Sequence, residues 1–281
     1  MEKVYFNNEF VNWKEAYTHI EDRSYQFGDG VYEVIKILNG KALWLEEHIE
    51  RLFSSANKIS IKMNTSISDI EKKIEKLINI NNINEGITYI QISRGVNQRS
   101  HDFPNPAVAP VMIAYTRELY RPIEKQKSGI SAIFQDDIRW LRNDIKSINL
   151  LGSVLAKEEA NKKGAEEAVL HRSNTITEGS ATNFFIVKKG VIYTHPVNNY
   201  ILNGITRLKV LELAEQLKIE AREEPFLKED VLQGEEAFIT STTKDIVPVI
   251  KIDNNCIGNG SPGKVTMKLQ EAFENLLSRL L

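Results

Sequence analysis

The sequence predicts an α+β protein of two domains, and three observations carry that prediction. Strand-like alternation and helix-like periodicity are interleaved along the chain. A length of 281 residues suits about two domains of ~150 residues each. Residues 116–129 (TRELYRPIEKQKSG) are charged, contain Pro122 and follow neither period. They are therefore expected to join a small N-terminal α/β domain, residues 1–121, to a larger C-terminal α+β domain, residues 122–281.

In the first domain, residues 31–38 (VYEVIKIL) and 87–94 (ITYIQISR) alternate like strands, whereas Leu45, Ile49, Leu52, Phe53 and Ala56 keep a helical period. Ser68 and Glu71 form a capping-box pair ahead of Ile70, Ile74, Leu77 and Ile78, so a second helix is expected to begin near Ser68. Residues 111–115 (VMIAY) read as a buried strand. Beyond the connection, strands are expected at 130–134, 168–171, 183–187, 191–194, 237–241 and 246–252. Three helices interrupt them, marked by Leu150, Leu151, Val154, Leu155 and Ala160, by Leu208, Leu211, Leu213, Ala214 and Leu217, and by Leu269, Phe273, Leu276, Leu277 and Leu280. No repeat or low-complexity tract occurs, and a ligand site is expected between the two domains.

A formal net charge of −2 provides no basic field for nucleic acid or an anionic membrane, which leaves small molecules as the expected partners. Cys256 is the only cysteine, so neither an intrachain disulfide nor a thiolate metal cluster can form. The start, MEKVYFNNEFVNW, lacks a basic end followed by an apolar run, and no stretch reaches the ~18 apolar residues of a membrane span. A cytoplasmic location is the expectation. Gly258, Gly263 and Lys264 imitate part of a phosphate loop, but Val265 stands where a magnesium-binding hydroxyl is required, and Pro262 is expected simply to start the last helix. Gly28 and Gly30 lack the third glycine of a dinucleotide fingerprint, and no G-x-S-x-G elbow is present. His19, His48, His101, His171 and His195 are not at metal-ligand spacing, so no metal is expected.

The chemistry is suggested by Lys146, which ends a strand-like run, and Glu178, in TEGSATNFFIV, where a small-residue turn leads into an apolar strand. A lysine amine that bonds an aldehyde and a carboxylate that keeps a pyridine nitrogen protonated are the two groups pyridoxal phosphate chemistry needs. Either residue alone is more often a solvated surface group. A phosphate is best held by backbone N–H groups at a helix start, and Gly204, Ile205 and Thr206 fit, with Thr206 as a helix cap. Ser241, Thr242 and Thr243 close a strand with three hydroxyls, and Arg51 adds a fixed cation on the first helix. In RGVNQRSHDFP, residues 94–104, Arg99 and His101 are two apart, so in an extended loop both reach one anion and form a carboxylate clamp.

These residues resemble the class IV, fold-type IV pyridoxal phosphate aminotransferases, and among them the bacterial D-amino acid aminotransferases. The resemblance runs nearly end to end, through DRSYQFGDGVYEV, EHIERL, RGVNQRSHDFP, DIRWLRNDIKSINLLGSVLAK, ITEGSATN, NGITR and TSTT. It implies a two-domain fold with the cofactor at the domain interface and with the Schiff-base lysine, Lys146, in the C-terminal domain. By the same resemblance Lys146 also shuttles the proton, Glu178 pairs with the pyridinium nitrogen, and Arg51, Ile205, Thr206 and Thr242 hold the phosphate. Leu202 lies under the ring and Arg139 sits beside the phenolate oxygen. Tyr32, Arg99 and His101 trap the substrate α-carboxylate, with the Arg99 and His101 loop reaching the neighbouring site of a homodimer. Val34, Ser241 and Thr243 line the side-chain pocket. The implied reaction is D-alanine plus 2-oxoglutarate giving pyruvate plus D-glutamate, with broad D-amino acid tolerance and a supply role in peptidoglycan synthesis. Alternatives on the same framework are a branched-chain L-aminotransferase, an aminodeoxychorismate lyase and, from another class, a non-catalytic binding dimer. Ala181 and Thr182 depart from the serines common in relatives at those positions.

Overall fold

A computed structural model describes residues 2–281, and its contacts divide the chain into two compact units. The first holds the chain through Tyr120 together with Ile145–Asn149 and Leu281; the second holds Arg121–Asp144 and Leu150–Leu280. The stretch that carries Lys146 thus packs with the first unit although it follows the connection at Pro122, whereas the sequence expectation assigns it to residues 122–281. The reason is local pairing: Ser147 bridges Val31, and Tyr32 N–H donates to the Lys146 carbonyl at 2.9 Å.

In the first unit, β1 (Lys3–Phe6) and β2 (Glu9–Asn12) form a hairpin ahead of the short helix α1 (Arg23–Phe27). Then follow β3 (Gly30–Leu38), β4 (Lys41–Ala42), the helices α2 (Leu45–Lys58) and α3 (Ile67–Asn81), β5 (Glu85–Ser93) and β6 (Val111–Glu118). The strands form an antiparallel sheet in the order β2-β1-β6-β5-β3-β4. Because side chains alternate along a strand, Val31, Ile35, Ile37, Ile90 and Ile92 face one way and pack with Ile49 and Leu52 of α2 and Ile70, Ile74 and Leu77 of α3. Tyr32, Tyr89 and Tyr115 project from the other face and stack, with centroids 5.7 and 5.0 Å apart. The helix expected to begin near Ser68 begins at Ile67, with Ser66 as the cap and Asp69 closing the box. The S-x-x-D pair two residues earlier has the same geometry and sets the start one turn ahead of the first buried residue, Ile70.

The second unit opens with α4 (Ile123–Ser128), so part of the expected connection is helical, and β7 (Ile130–Asp136). Next come α5 (Leu151–Lys162), β8 (Glu167–Arg172), β9 (Thr175–Gly179), β10 (Asn183–Lys188), β11 (Val191–Thr194) and α6 (Ile205–Gln216). The chain finishes with β12 (Ala221–Glu223), α7 (Lys228–Leu232), β13 (Glu236–Ser241), β14 (Asp245–Ile252), β15 (Asn255–Cys256) and α8 (Lys264–Leu280). The sheet is mixed, in the order β12-β11-β10-β13-β14-β7-β8-β9 with β15 paired to β14. Its core gathers Phe184, Ile186, Ile239, Val247 and Val249.

Helix α5 does not bury the stripe its leucines suggest. Ala156 and Ala160 pack on Ile133, Ala168 and Leu170, while Leu151 and Val154 are 71% and 57% exposed. Small side chains let a helix approach a sheet closely, and that choice turns the larger residues outward. The glycine-lysine imitation of a phosphate loop is likewise settled by structure. Helix α8 begins at Lys264 rather than Pro262, and Glu236 accepts from the N–H groups of Val265 and Thr266, each at 2.8 Å. A carboxylate of the chain itself already serves that helix start.

Candidate active site

In the second unit, the site is organised around Glu178. The residue lies on β9, not in the turn that precedes the next strand, and is almost fully buried. One carboxylate oxygen accepts from Arg139 Nη1 at 2.6 Å; the other accepts from Asn183 Nδ2 and from the Leu202 N–H, each at 3.0 Å. Asn183 also donates to the Leu202 carbonyl at 2.8 Å, so one amide ties the carboxylate to the turn that enters α6. Burial pushes the Glu178 carboxyl above its ordinary range, and Arg139 with the hydrogen-bond donors offsets that only in part.

Arg139, which the resemblance places beside the phenolate oxygen, is held by groups of the chain itself. It joins two carboxylates: besides Glu178, it donates from Nε to Asp137 Oδ1 at 2.8 Å and from Nη2 to Asp137 Oδ2 at 2.9 Å. Asp137 further accepts from Arg172 Nε and Thr177 Oγ1, both at 3.1 Å. Burial raises the Asp137 carboxyl, but the bonds and charges of Arg139 and Arg172 outweigh burial and hold it below the ordinary range. Gly152 lets this segment lie against α5, since a Cβ there would stand 3.1 Å from Arg139 Cγ.

The expected phosphate cup falls at the start of helix α6. Its cap is Gly204, not Thr206, and no side chain caps it. Thr206 stands in the first turn, where the amides of Ile205 and Thr206 have no intrahelical acceptor. A Cβ at Gly204 would meet Asn183 Oδ1 at 2.2 Å, so the residue must be glycine for Asn183 to reach both Glu178 and Leu202. The buried Arg207 donates to Asn203 Oδ1 at 3.2 Å and to the His195 carbonyl at 3.0 Å, fixing the same turn. Thr242 follows β13 in a turn, with Ser241 Oγ accepting from Lys244 N–H at 3.2 Å and lying 3.5 Å from Thr243 Oγ1.

In the first unit, β3 sets the arrangement. Lys146 lies in irregular chain beside it, not at a strand end; its N–H donates to Ser55 Oγ of α2 at 3.2 Å. Its Nζ stands 4.3 Å from the centre of the Tyr32 ring. Val34 shares the Tyr32 face by alternation, and Glu33 points the opposite way into the helices. There Glu33 accepts from Arg51 Nε at 2.6 Å and Nη2 at 2.9 Å, and from His48 Nδ1 at 2.7 Å. Burial opposes the charge on Glu33, but Arg51 and His48 outweigh it and hold the carboxyl well below its usual range. Burial pulls the His48 imidazole below its ordinary value against the raising effect of Glu33, and because a carboxylate only accepts, Nδ1 is the donor in their bond. Arg99 and His101, both exposed, meet around one ring: the Arg99 guanidinium lies 5.0 Å and the His101 ring 5.5 Å from the centre of Phe27.

The structure thus groups Lys146, Tyr32, Val34 and Arg51 about β3, and Arg99 with His101 about Phe27, in one unit. In the other it groups Glu178, Arg139 and Leu202 with the α6 start. Sequence reasoning passes over Asn183, Asp137, Glu33 and His48. Glu33 carries a visible signal, an acid in the inward register of an apolar strand. Asn183 and Asp137 stand five and two residues from Glu178 and Arg139, but such spacings are too common to mark a pair, and their further partners, Leu202 and Arg172, lie far along the chain.

Residues 30–252 match the family model of the class IV amino-transferases. A D-alanine aminotransferase of Staphylococcus aureus (strain N315) is 47% identical over 277 residues, covering 99% of this chain and 98% of that protein. Among solved structures, a branched-chain amino acid aminotransferase from Escherichia coli superposes with a TM-score of 0.93 at 28% identity, covering 98% of this chain and 94% of the other. A branched-chain amino acid aminotransferase from Thermoproteus uzoniensis, solved with norvaline, gives 0.85 at 26% identity over 97% and 93%. By the family match over most of its length and by relatives of nearly equal extent, this chain belongs to the class IV aminotransferases and is an enzyme of that kind.

Proposed function

We propose that the protein transaminates D-amino acids with pyridoxal 5'-phosphate, converting D-alanine and 2-oxoglutarate to pyruvate and D-glutamate with broad tolerance for other D-amino acids. The observation that carries this reading is the buried Glu178 carboxylate, which takes three donors and still has burial opposing its charge. Such a group gains from one more cationic N–H, which a protonated pyridine supplies. The uncapped start of α6 suits the phosphate in the same way. When bound, the cofactor supplies an electron-withdrawing ring that stabilises the charge left at the substrate Cα.

The residues then have separate tasks. Lys146 supplies the amine that anchors the cofactor aldehyde, and its Nζ afterwards takes the proton from the substrate Cα. Glu178 keeps the pyridine nitrogen protonated, and Arg139 keeps Glu178 ionised. Arg51, Ile205, Thr206 and Thr242 hold the phosphate, and Leu202 supports the ring. Tyr32, Arg99 and His101 bind the α-carboxylate, and Val34, Ser241 and Thr243 select the side chain. Arg99 and His101 are proposed to serve the neighbouring protomer of a homodimer, a reading supported by their exposure and by the outward leucine and valine of α5. A cytoplasmic supply of D-glutamate for peptidoglycan is the proposed role. Among the described residues no helix is long and apolar enough to cross a membrane.

The D-handed reading is favoured by full-length relatives at 45–47% identity that are D-alanine aminotransferases, against 26–28% for the branched-chain structures. Incubation with D-alanine or L-alanine, each with 2-oxoglutarate, followed by chiral analysis, tests it. D-glutamate from D-alanine alone is expected; L-glutamate from the L-substrate points to a branched-chain type of enzyme. Pyruvate released without an amino acceptor points to a lyase.

A further inference from the structure

The segment DRSYQFGDG, residues 22–30, is tied throughout to the loop that carries Arg99 and His101. At the root of that loop, Arg23 N–H donates to the Gly95 carbonyl at 3.0 Å, Asn97 N–H donates to the Glu21 carbonyl at 3.2 Å, and Asp22 pairs with Val96. At the tip, the contact is made by the Arg23 side chain. Its Nη1 donates to the Ser100 carbonyl at 2.7 Å and to the Asp102 carbonyl at 3.3 Å, the two carbonyls that flank His101. Its Nε donates to Asp29 Oδ2 at 2.8 Å, and its guanidinium lies 4.8 Å from the centre of Phe27, the ring that also receives Arg99 and His101.

We propose that Arg23, seated on Phe27, is a positioning residue for the substrate-carboxylate loop, holding the backbone on both sides of His101 so that Arg99 and His101 meet an α-carboxylate already ordered. This rests on the reading of Arg99 and His101 as the carboxylate clamp. Arg23 is only 3% exposed, and its charge is balanced by Asp29, which also takes a bidentate pair from Arg94 at 2.8 and 2.9 Å. A guanidinium suits the task because its planar fork can serve a carboxylate and two carbonyls at once, which a lysine ammonium cannot do from one position. The clamp residues are themselves exposed, so without this hold their ordering would be charged against substrate binding.

The test uses the holoenzyme with Arg23→Lys, Arg99→Met and the double variant. Arg23→Lys is expected to raise KM for both D-alanine and pyruvate about tenfold, with a smaller change in kcat. The visible cofactor absorbance should stay as in the parent, and amide hydrogen exchange over residues 99–102 should quicken. In the Arg99→Met background the same substitution should add less than about threefold, because both changes act on one clamp. Unchanged KM values, or a full tenfold effect on top of Arg99→Met, overturn the proposal, the second outcome being that of a merely structural residue. Failure of the clamp reading is distinct, since Arg99→Met alone would then leave KM unchanged. If Arg23→Lys does not fold, Phe27→Leu removes the shared ring while keeping Asp29 paired; it should raise the same KM values, and unchanged values overturn the proposal.

Discussion

The electrostatics of single residues suit Glu178 to the role proposed for it at a pyridine nitrogen. A carboxylate with burial against it is not stabilised by depth; it is stabilised by Arg139, which Asp137 in turn holds in place from two sides. Replacing Glu178 by Gln keeps the shape but removes the charge, and proton removal from D-alanine should slow by about 10²-fold while the cofactor still binds, as followed by single-turnover absorbance. An unaltered half-reaction rate would strip Glu178 of its role. Asp137→Asn leaves Arg139 and Arg172 without their shared counter-charge, and should cost about 3 kcal/mol in urea unfolding. The sequence singles out Lys146 and Glu178, the two residues proposed for the chemistry, by their residue types and the small-residue turn beside one of them. It does not single out their supporting partners. Asp137 and Asn183 lie only two and five residues from Arg139 and Glu178, yet nothing in those spacings says that the side chains meet, and the Leu202 N–H reaches Glu178 from 24 residues away.

Among the elements, α5 and α3 show what periodicity can and cannot fix. For α3 the pattern misses only the cap, by two residues, because S-x-x-D and S-x-x-E overlap in the sequence and either closes a box. For α5 it finds the helix but favours the wrong face, since leucine and valine outnumber the two alanines that the sheet requires. Enlarging the true contact with Ala160→Leu should destabilise the protein by about 1–3 kcal/mol, whereas Leu151→Lys on the outer face should stay within about 0.5 kcal/mol in a monomeric sample. Equal losses for the two, measured by thermal unfolding, would reverse the assignment of faces. Strand β3 is legible along with its register, which places Tyr32 and Val34 on one side and Glu33 on the other. The short pieces β1, β2, β9 and α1 escape notice because four or five residues hold too little of either period to stand out.

For the whole molecule, the buried ion pairs set the response to pH. Asp29, Glu33 and Asp137 all have carboxyls held below their ordinary values of 3.8, 4.5 and 3.8. Their stabilising contribution is complete above those values and is lost as the pH falls through the lowered, folded ones. His48 acts in the same direction, since its folded pKa lies below 6.5 and the unfolded chain binds the proton first. Glu178 and Glu71, shifted upward, oppose them, while His171 and His195, shifted downward by burial, add to the loss. The urea midpoint should therefore drop steadily between about pH 6 and pH 3, and a midpoint that rises on acidification would contradict this balance of charges.

The class of chemistry and the alternation of helices and strands follow from residue types and from periods that act over a few positions. It takes folding to return Ile145–Asn149 to the first unit, to set Arg139 against Glu178, to stand Glu33 and His48 behind Arg51, and to bring Arg23 to the carbonyls on either side of His101. Each of these is a contact between segments remote in sequence, the first made by backbone pairing with β3 and the others by buried charges that must find partners when water is excluded.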